Sequence, residues 1–252
     1  MTSIRHLHLP VEQTFNEFVE KVGGELVEKS LSHQQGEKRA DYLFRTPGII
    51  AELKCLEHDL FTPDYHIKLQ ALVNDWQARG LVGRILGTVQ LDLQRLPRQC
   101  QTEWLRITER PLNRDIVSRA NRQIRETKVA LGLPEAKGVL LLANEGNRSM
   151  TPANIFTFLS RILSKTKGDE TLVCSSIHWI VLFSTNVAVM NGRDPRPMTF
   201  WGAAHRFGPD PVIGRFLAEM NVAWNRHCAE KRGVPLKEVD VSTVDFEEVR
   251  FV

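Results

Sequence analysis

The 252-residue sequence predicts an α/β fold in which a central mixed β-sheet is flanked by helices. Two continuous apolar runs, GVLLLAN at 138–144 and SSIHWIVLFS at 175–184, are typical of strands that are covered on both faces. Segments with apolar residues at helical spacing precede, separate and follow these strands. Two further apolar runs, at 39–45 and 48–56, are joined by a Pro-Gly turn, which adds an antiparallel hairpin to the predicted sheet.

The first part of the chain reads as a helix followed by three strands. Residues 11–22 place their Val and Phe side chains on one helical stripe, and Gly23-Gly24 ends the helix. ELVEKS at 25–30 alternates weakly, as a first strand would. The hairpin strands come next, and Pro47-Gly48 is expected at the centre of a type II turn.

The middle and the end of the chain alternate helices with strands. The region 81–112 has short apolar runs interrupted by Gly and Pro and gives no clear pattern, and RDPRP and FGPDP read as loops. We expect a core at 1–190 and a C-terminal extension, 191–252, packed on it. The remaining predicted elements are helices at 64–79, 113–131, 152–165 and 212–232, and strands at 138–144, 175–184 and 186–190, the last before an Asn191-Gly192 turn.

Composition excludes several classes of protein. Hydrophobic residues make up 42% and charged residues 25% of the chain, which is ordinary for a globular domain. No apolar run approaches the ~20 residues that span a bilayer, and the N-terminus has no signal-peptide core. The four cysteines form no CxxC pair, which argues against a zinc site or a disulfide framework. These features favour a cytoplasmic protein.

Basic charge is concentrated in the middle of the chain. Residues 84–128 contain ten basic and five acidic residues, a local balance of +5 compared with +3 for the whole chain. Arg114, Arg122 and Arg125 lie roughly opposite the apolar stripe of the helix at 113–131, and Lys128 lies at its edge. This surface would suit a phosphate backbone. A solvated helix face is the alternative interpretation.

The run ADYLFRTPGIIAELKC, at 40–55, carries three ionisable residues within two predicted strands. Glu52 and Lys54 are two residues apart, so they share one face of their strand. If the strands pair about the Pro-Gly turn, Asp41 falls near position 54 and within reach of Glu52. Two carboxylates held together repel each other unless a proton or a cation lies between them, and Mg²⁺ is a hard cation that prefers oxygen ligands. An exposed surface ion pair is the alternative.

The spacing Asp41-x10-Glu52-Leu53-Lys54, after a helix and within an α-β-β-β order, resembles the PD-(D/E)XK nuclease superfamily. The usual proline before the aspartate is replaced by Ala40. The resemblance covers residues 11–183 in outline and is specific only at 40–55. It implies a restriction-endonuclease-like core that binds Mg²⁺, with Mn²⁺ as a substitute.

The resemblance also implies roles for individual residues. Asp41, Glu52 and the backbone carbonyl of Leu53 would bind the metal, and Lys54 would assist the attacking water. The family often adds an acid from the first helix. Glu17 and Glu20 are the candidates, and Glu12 stays open as a third.

The predicted function is therefore Mg²⁺-dependent hydrolysis of phosphodiester bonds, in DNA, by a metal-activated water. Two alternatives stay open: a catalytically silent nucleic-acid-binding or regulatory module on a nuclease scaffold, and an enzyme acting on a nucleotide or another phosphate ester. The expected partner is nucleic acid, without a membrane, and the protein would act as a homodimer or within a larger complex.

Overall fold

The computed structural model describes residues 8–30, 39–85, 87, 92–191, 194–235 and 246–252. Most of its strands belong to one sheet, and three shorter strands form a second. The strands are β1 (Glu25–Leu26), β2 (Tyr42–Phe44), β3 (Ile49–Leu56), β4 (Lys137–Asn144), β5 (Trp179–Ser184), β6 (Val189–Asn191), β7 (Asp194–Met198), β8 (Trp201–His205) and β9 (Arg250–Phe251).

The main sheet has six strands in the order β1-β2-β3-β4-β5-β8. Strands β3, β4 and β5 are parallel, whereas β1, β2 and β8 run antiparallel to their neighbours. The small sheet has the order β7-β6-β9. The predicted α/β class with a mixed sheet is thus confirmed.

Helices cover both faces of the main sheet. Thr62, Thr151 and Asp210 cap the amino ends of three of them with a side-chain oxygen, each followed by a proline suited to the first turn. The helices are α1 (Val11–Lys21), α2 (Val27–Ser30), α3 (Pro63–Ala78), α4 (Arg98–Pro111), α5 (Ser118–Ala130), α6 (Pro152–Leu163) and α7 (Pro211–Arg232), with a π-helical turn at Leu112–Val117 between α4 and α5.

The two faces of β3 belong to different halves of the core. Ile49, Ala51 and Leu53 pack in the cluster that contains buried residues of α1 and α7. Ile50 and Leu56 pack in the cluster that contains buried residues of α5 and α6. Because side chains alternate along a strand, the even-numbered residues of β3, among them those of the predicted site, face the α5 side.

The hairpin between β2 and β3 has a different register from the one predicted. Phe44 pairs with Ile49 and Tyr42 with Ala51, and the Gly48 N–H donates to the Phe44 carbonyl at 3.0 Å. Four residues, 45–48, therefore form the turn. The predicted pairing of residue 41 with residue 54 is wrong, because this turn places Asp41 opposite Glu52. A shift of two residues keeps both side chains on the predicted face.

Several predicted elements have other bounds or another structure. The predicted strand 25–30 ends at Leu26, because β2 provides partners only for Glu25 and Leu26, and 27–30 form α2. The predicted helix 113–131 begins with the π-helical turn and becomes α-helical at Ser118.

Two further elements were not apparent from the pattern. Helix α4 lies inside the unassigned region 81–112. RDPRP was expected to be a loop, but its backbone from Asp194 onward forms β7 at the edge of the small sheet. Proline is tolerated at a sheet edge because the missing donor would face outward. The predicted Asn191-Gly192 turn lies partly outside the described residues.

The segment after residue 190 contributes to both sheets. It provides β8 at the edge of the main sheet, and α7, whose Trp224 ring lies 4.9 Å from the Phe15 ring and 5.7 Å from the Phe183 ring between centroids. The boundary expected near residue 190 stays a prediction. Among the described helices, none combines the length and the apolar character that crossing a bilayer requires.

Candidate active site

The Asp41 carboxylate lies where β2 separates from β3. Strand β2 begins only at Tyr42, so the outward-facing backbone of β3 beyond Ala51 has no strand partner there. Asp41 fills this gap: its Oδ2 accepts a hydrogen bond from the Leu53 N–H at 2.7 Å. The Asp41 carbonyl in turn accepts from the Val27 N–H at 2.9 Å. Both the backbone and the side chain of Asp41 are therefore fixed.

Glu52 is a fully buried acid in the middle of the sheet, with a relative exposure of 0%. Its Oε1 accepts from the ammonium group of Lys54, the neighbour on the same strand face. Its Oε2 is buried and has no hydrogen-bond donor among the described residues. The Lys54 side chain is 23% exposed, so it connects the buried acid with the surface.

The pKa shifts of Asp41 and Glu52 show that each carboxyl group affects the ionisation of the other. Burial is the main cause that raises the pKa of Glu52 to about 8, and the adjacent Asp41 carboxylate raises it further, whereas Lys54 opposes the shift. Burial also raises the pKa of Asp41, against the hydrogen bond from Leu53. The pair therefore requires a proton or a cation between its carboxyl groups at neutral pH.

Among the acids of the first helix, Glu12 is the one whose charge affects the pKa of Asp41. Burial is the largest cause of the raised pKa of Asp41, and the Glu12 charge acts in the same direction. Glu17 instead pairs with Lys231 of α7, and Glu20 pairs with Lys29. Both residues that the sequence favoured are therefore engaged in ion pairs away from Asp41. The sequence signal that could have favoured Glu12 was its position close to the apolar stripe of the helix, one residue after Val11.

The oxygens that are present suit a hard cation. Glu52 Oε2 is an unpaired buried acceptor, and Asp41 provides a second carboxylate. An extended residue directs its N–H and C=O to the same side of the strand, so the Leu53 carbonyl points to the side on which Asp41 lies. No group of three or more His, Cys, Asp or Glu side chains in the described part of the chain is arranged to hold a metal. A cation here would depend on two carboxylates and backbone oxygen.

The predicted nucleic-acid-binding residues are spread over the surface of α5 and the turn before it. Arg114, Arg122 and Arg125 are exposed, and Lys128 is partly buried. Arg114 donates two hydrogen bonds to Asp115 at 3.0 Å, and Arg125 lies 3.9 Å from Glu126. Local carboxylates thus offset part of this charge, and a role in nucleic-acid binding stays a prediction.

The carboxyl ends of parallel strands are where α/β folds often bind ligands, and in this protein the loops after β3 and β4 contact each other there. Gly146, just after β4, packs so closely that an added Cβ would lie 2.0 Å from the Glu57 carbonyl oxygen. Asp59 accepts hydrogen bonds from the N–H groups of Arg148 and Ser149 at 2.6 and 2.8 Å. These contacts pack the loops that follow β3 and β4 against each other.

A concave region of about 650 Å³ lies elsewhere, at the hairpin turn. Its lining includes Pro47, Leu133, Lys137 and Val212 and none of the predicted site residues. Its walls are mostly apolar and include the acidic residues Glu135 and Asp210. It is therefore separate from the candidate active site.

Comparison of the chain with protein-family models, with curated proteins and with solved structures gives no match in any of the three. The family membership suggested by Asp41, Glu52 and Lys54 accordingly stays a prediction. What can be said of function depends on the geometry around β3.

Proposed function

We propose that the protein is a Mg²⁺-dependent nuclease of the PD-(D/E)XK type, with a restriction-endonuclease-like core, and that it hydrolyses phosphodiester bonds in DNA. The observation that carries the proposal is the buried Glu52 carboxylate, which has one oxygen paired with Lys54, the other without a donor, and the Asp41 carboxyl beside it. Burying such a carboxylate in its ionised form is unfavourable unless a proton or a cation compensates for its charge.

The residues divide the work as follows. Asp41, Glu52 and the Leu53 carbonyl would hold the cation, and the Glu12 charge, which also raises the pKa of Asp41, would favour a cation there. The bound ion would supply a Lewis acid that stabilises charge developing on the phosphate. Lys54, partly exposed and tethered to Glu52, would orient the attacking water by donating a hydrogen bond from Nζ.

Cleavage of supercoiled plasmid, with Mg²⁺ and with EDTA, tests this proposal. The active-site variants are Asp41→Asn, Glu52→Gln and Lys54→Met. Glu109→Gln is a matched control, because Glu109 of α4 is also a buried acid, 3% exposed, but it pairs with Arg161 of α6 and with Lys165 just after α6. We expect loss of Mg²⁺-dependent cleavage in the three site variants and activity in the control. Equal cleavage by all five proteins would remove these residues from the mechanism.

A catalytically silent nucleic-acid-binding module is the second candidate. The observation in its favour is that Glu52 has no exposed surface, whereas Arg114, Arg122 and Arg125 are exposed. Such a module would bind DNA without needing Mg²⁺, with an affinity that falls steeply as salt rises. It would also tolerate Asp41→Asn without loss of binding. Fluorescence anisotropy with a labelled duplex separates the two candidates.

A further inference from the structure

Helix α5 holds the two residues that precede Asp41. The Ala40 N–H donates to Thr127 Oγ1 at 2.7 Å. The Gln123 side chain donates from Nε2 to the Arg39 carbonyl at 2.9 Å. The Thr127 hydroxyl then donates to the Gln123 carbonyl at 2.8 Å, which fixes the orientation of the hydroxyl. Two side chains of one helix thus bind two successive backbone groups of the segment that leads into the site.

These hydrogen bonds lie in the protein interior. Thr127 is 0%, Ala40 2% and Gln123 8% exposed. Water competes little for such bonds, and a backbone N–H left without a partner there is unfavourable. Because β2 begins only at Tyr42, Ala40 has no partner in the sheet ladder. Thr127 supplies the acceptor that a longer strand would have supplied.

The contacts of Asp41 continue this chain of hydrogen bonds. Its carbonyl accepts from Val27 at 2.9 Å, and its Oδ2 accepts from Leu53 at 2.7 Å. The backbone on both sides of the Asp41 Cα is therefore fixed, by α5 before it and by Val27 after it. With the backbone fixed, the direction of the carboxylate is restricted to a few rotamers.

We propose that Thr127 and Gln123 are positioning residues that direct the Asp41 carboxylate towards Leu53 and Glu52. The proposal rests on the proposed function for its consequence in metal binding, but the positioning itself can be measured without a metal. A functional carboxylate needs such support, because its geometry must be held within a fraction of an ångström. Their hydrogen bonds given above join backbone groups and not the carboxylates, so both residues act through the backbone before Asp41 and neither is assigned as a catalytic residue.

A threonine within a helix often only donates to the carbonyl four residues before it. Thr108 of α4 provides the matched control for this structural role. It is buried, 3% exposed, donates to the Trp104 carbonyl at 3.0 Å and contacts the Tyr65 hydroxyl at 3.0 Å. Thr108→Val therefore removes a buried helical hydroxyl with two partners, as Thr127→Val does, in a part of the fold that contains neither Asp41 nor Glu52.

The experiment compares wild type, Thr127→Val, Thr127→Ser and Thr108→Val. Amide hydrogen exchange of Leu53, measured by NMR in EDTA, reports the bond from Asp41. We expect Thr127→Val to speed this exchange relative to that of Ile50 by about tenfold, the population change that loss of one ordinary hydrogen bond produces. Thr127→Ser retains the hydroxyl and should restore the slow exchange, and Thr108→Val should leave it unchanged.

The second measurement is the rise in melting temperature on adding Mg²⁺, which requires no catalysis. Thr127→Val should need a higher Mg²⁺ concentration for the same rise, whereas Thr108→Val should respond as wild type does. Unchanged Leu53 exchange in Thr127→Val, or an equal change in Thr108→Val, would overturn the positioning role. If Leu53 exchanges faster in Thr127→Val but the melting temperature of wild type does not respond to Mg²⁺, the positioning role is supported and the proposed function is refuted.

Discussion

Replacing Glu52 with glutamine should stabilise the metal-free protein at alkaline pH and remove its response to Mg²⁺. The substitution retains the size of the side chain and removes its charge. The carboxyl is 0% exposed and one oxygen has no donor among the described residues, so the fold holds an acid that is unfavourable in its ionised form. Glutamine still needs partners for its amide, which offsets part of the gain by about 1–3 kcal/mol.

The pKa of Glu52 determines how large the difference in stability between wild type and Glu52→Gln should be at each pH. The pKa of Glu52 lies at about 8 in the folded protein, against an ordinary value of 4.5. Between these values the folded chain binds more protons than the unfolded chain, so the free energy of unfolding falls as pH rises. The contribution is fully present below about pH 4.5 and lost by about pH 8. From pH 5 to pH 8 wild type should lose about 3 kcal/mol that Glu52→Gln does not lose.

Urea unfolding of both proteins in EDTA at pH 5, 6, 7 and 8 measures this difference. Taking the difference between the two proteins cancels the groups that titrate alike in both. We expect the free energy of unfolding of Glu52→Gln to increase steadily relative to that of wild type as pH rises, with most of the increase between pH 5 and pH 8. Parallel profiles for the two proteins would refute the assignment of Glu52 as a buried acid that is protonated at neutral pH.

Three further predictions concern the same region. Mg²⁺ binding at pH 7 should release about one proton, because the raised pKa keeps Glu52 protonated until a cation displaces its proton. Calorimetry in buffers of different ionisation enthalpy measures this release, and a heat of binding that does not depend on the buffer would contradict it. Glu12→Gln should weaken the Mg²⁺-dependent rise in melting temperature, whereas Glu17→Gln should not, because the Glu17 charge lies against α7; an equal effect of both would refute this assignment. Gly146→Ala should destabilise the fold by about 2 kcal/mol or more, since the added Cβ would lie 2.0 Å from the Glu57 carbonyl oxygen. Chemical denaturation measures this loss of stability, and an unchanged denaturation midpoint would show that the loop around residue 146 can move aside.

Much of the site could be predicted because it depends on local periodicity. The alternation of side chains along one strand places Glu52 and Lys54 on the same face whatever the rest of the chain does. The structure confirms this, with the Lys54 ammonium on Glu52 Oε1. The helical stripe at 11–22 likewise predicted α1, which ends at Lys21. Such features require only neighbours in sequence.

The hairpin shows where local pattern becomes insufficient. Pro47-Gly48 correctly indicated a turn, but not the type II turn centred on it, because the hydrogen bond that closes the turn joins Gly48 to Phe44. The length of the turn determines the register, and the observed four-residue turn moves Asp41 from residue 54 to Glu52. Both registers place the same side chains on the same faces, so hydrophobic patterning cannot distinguish them. Helix α4 was missed for another reason: it is strongly polar, its buried residues include Thr108 and Glu109, and prolines stand at both of its ends.

The sequence by itself determined that this protein has a mixed α/β sheet, and that an acid and an amine share one face of its third strand. Only the tertiary structure decided that Glu12 is the first-helix acid whose charge acts on Asp41, and that Thr127 holds Ala40, 87 residues away along the chain. The physical reason is that periodicity records which side of an element faces the core, whereas hydrogen bonds and charges between distant segments depend on how the elements dock. Those contacts leave no repeating pattern in the chain, and they appear only when the helices have packed on the sheet.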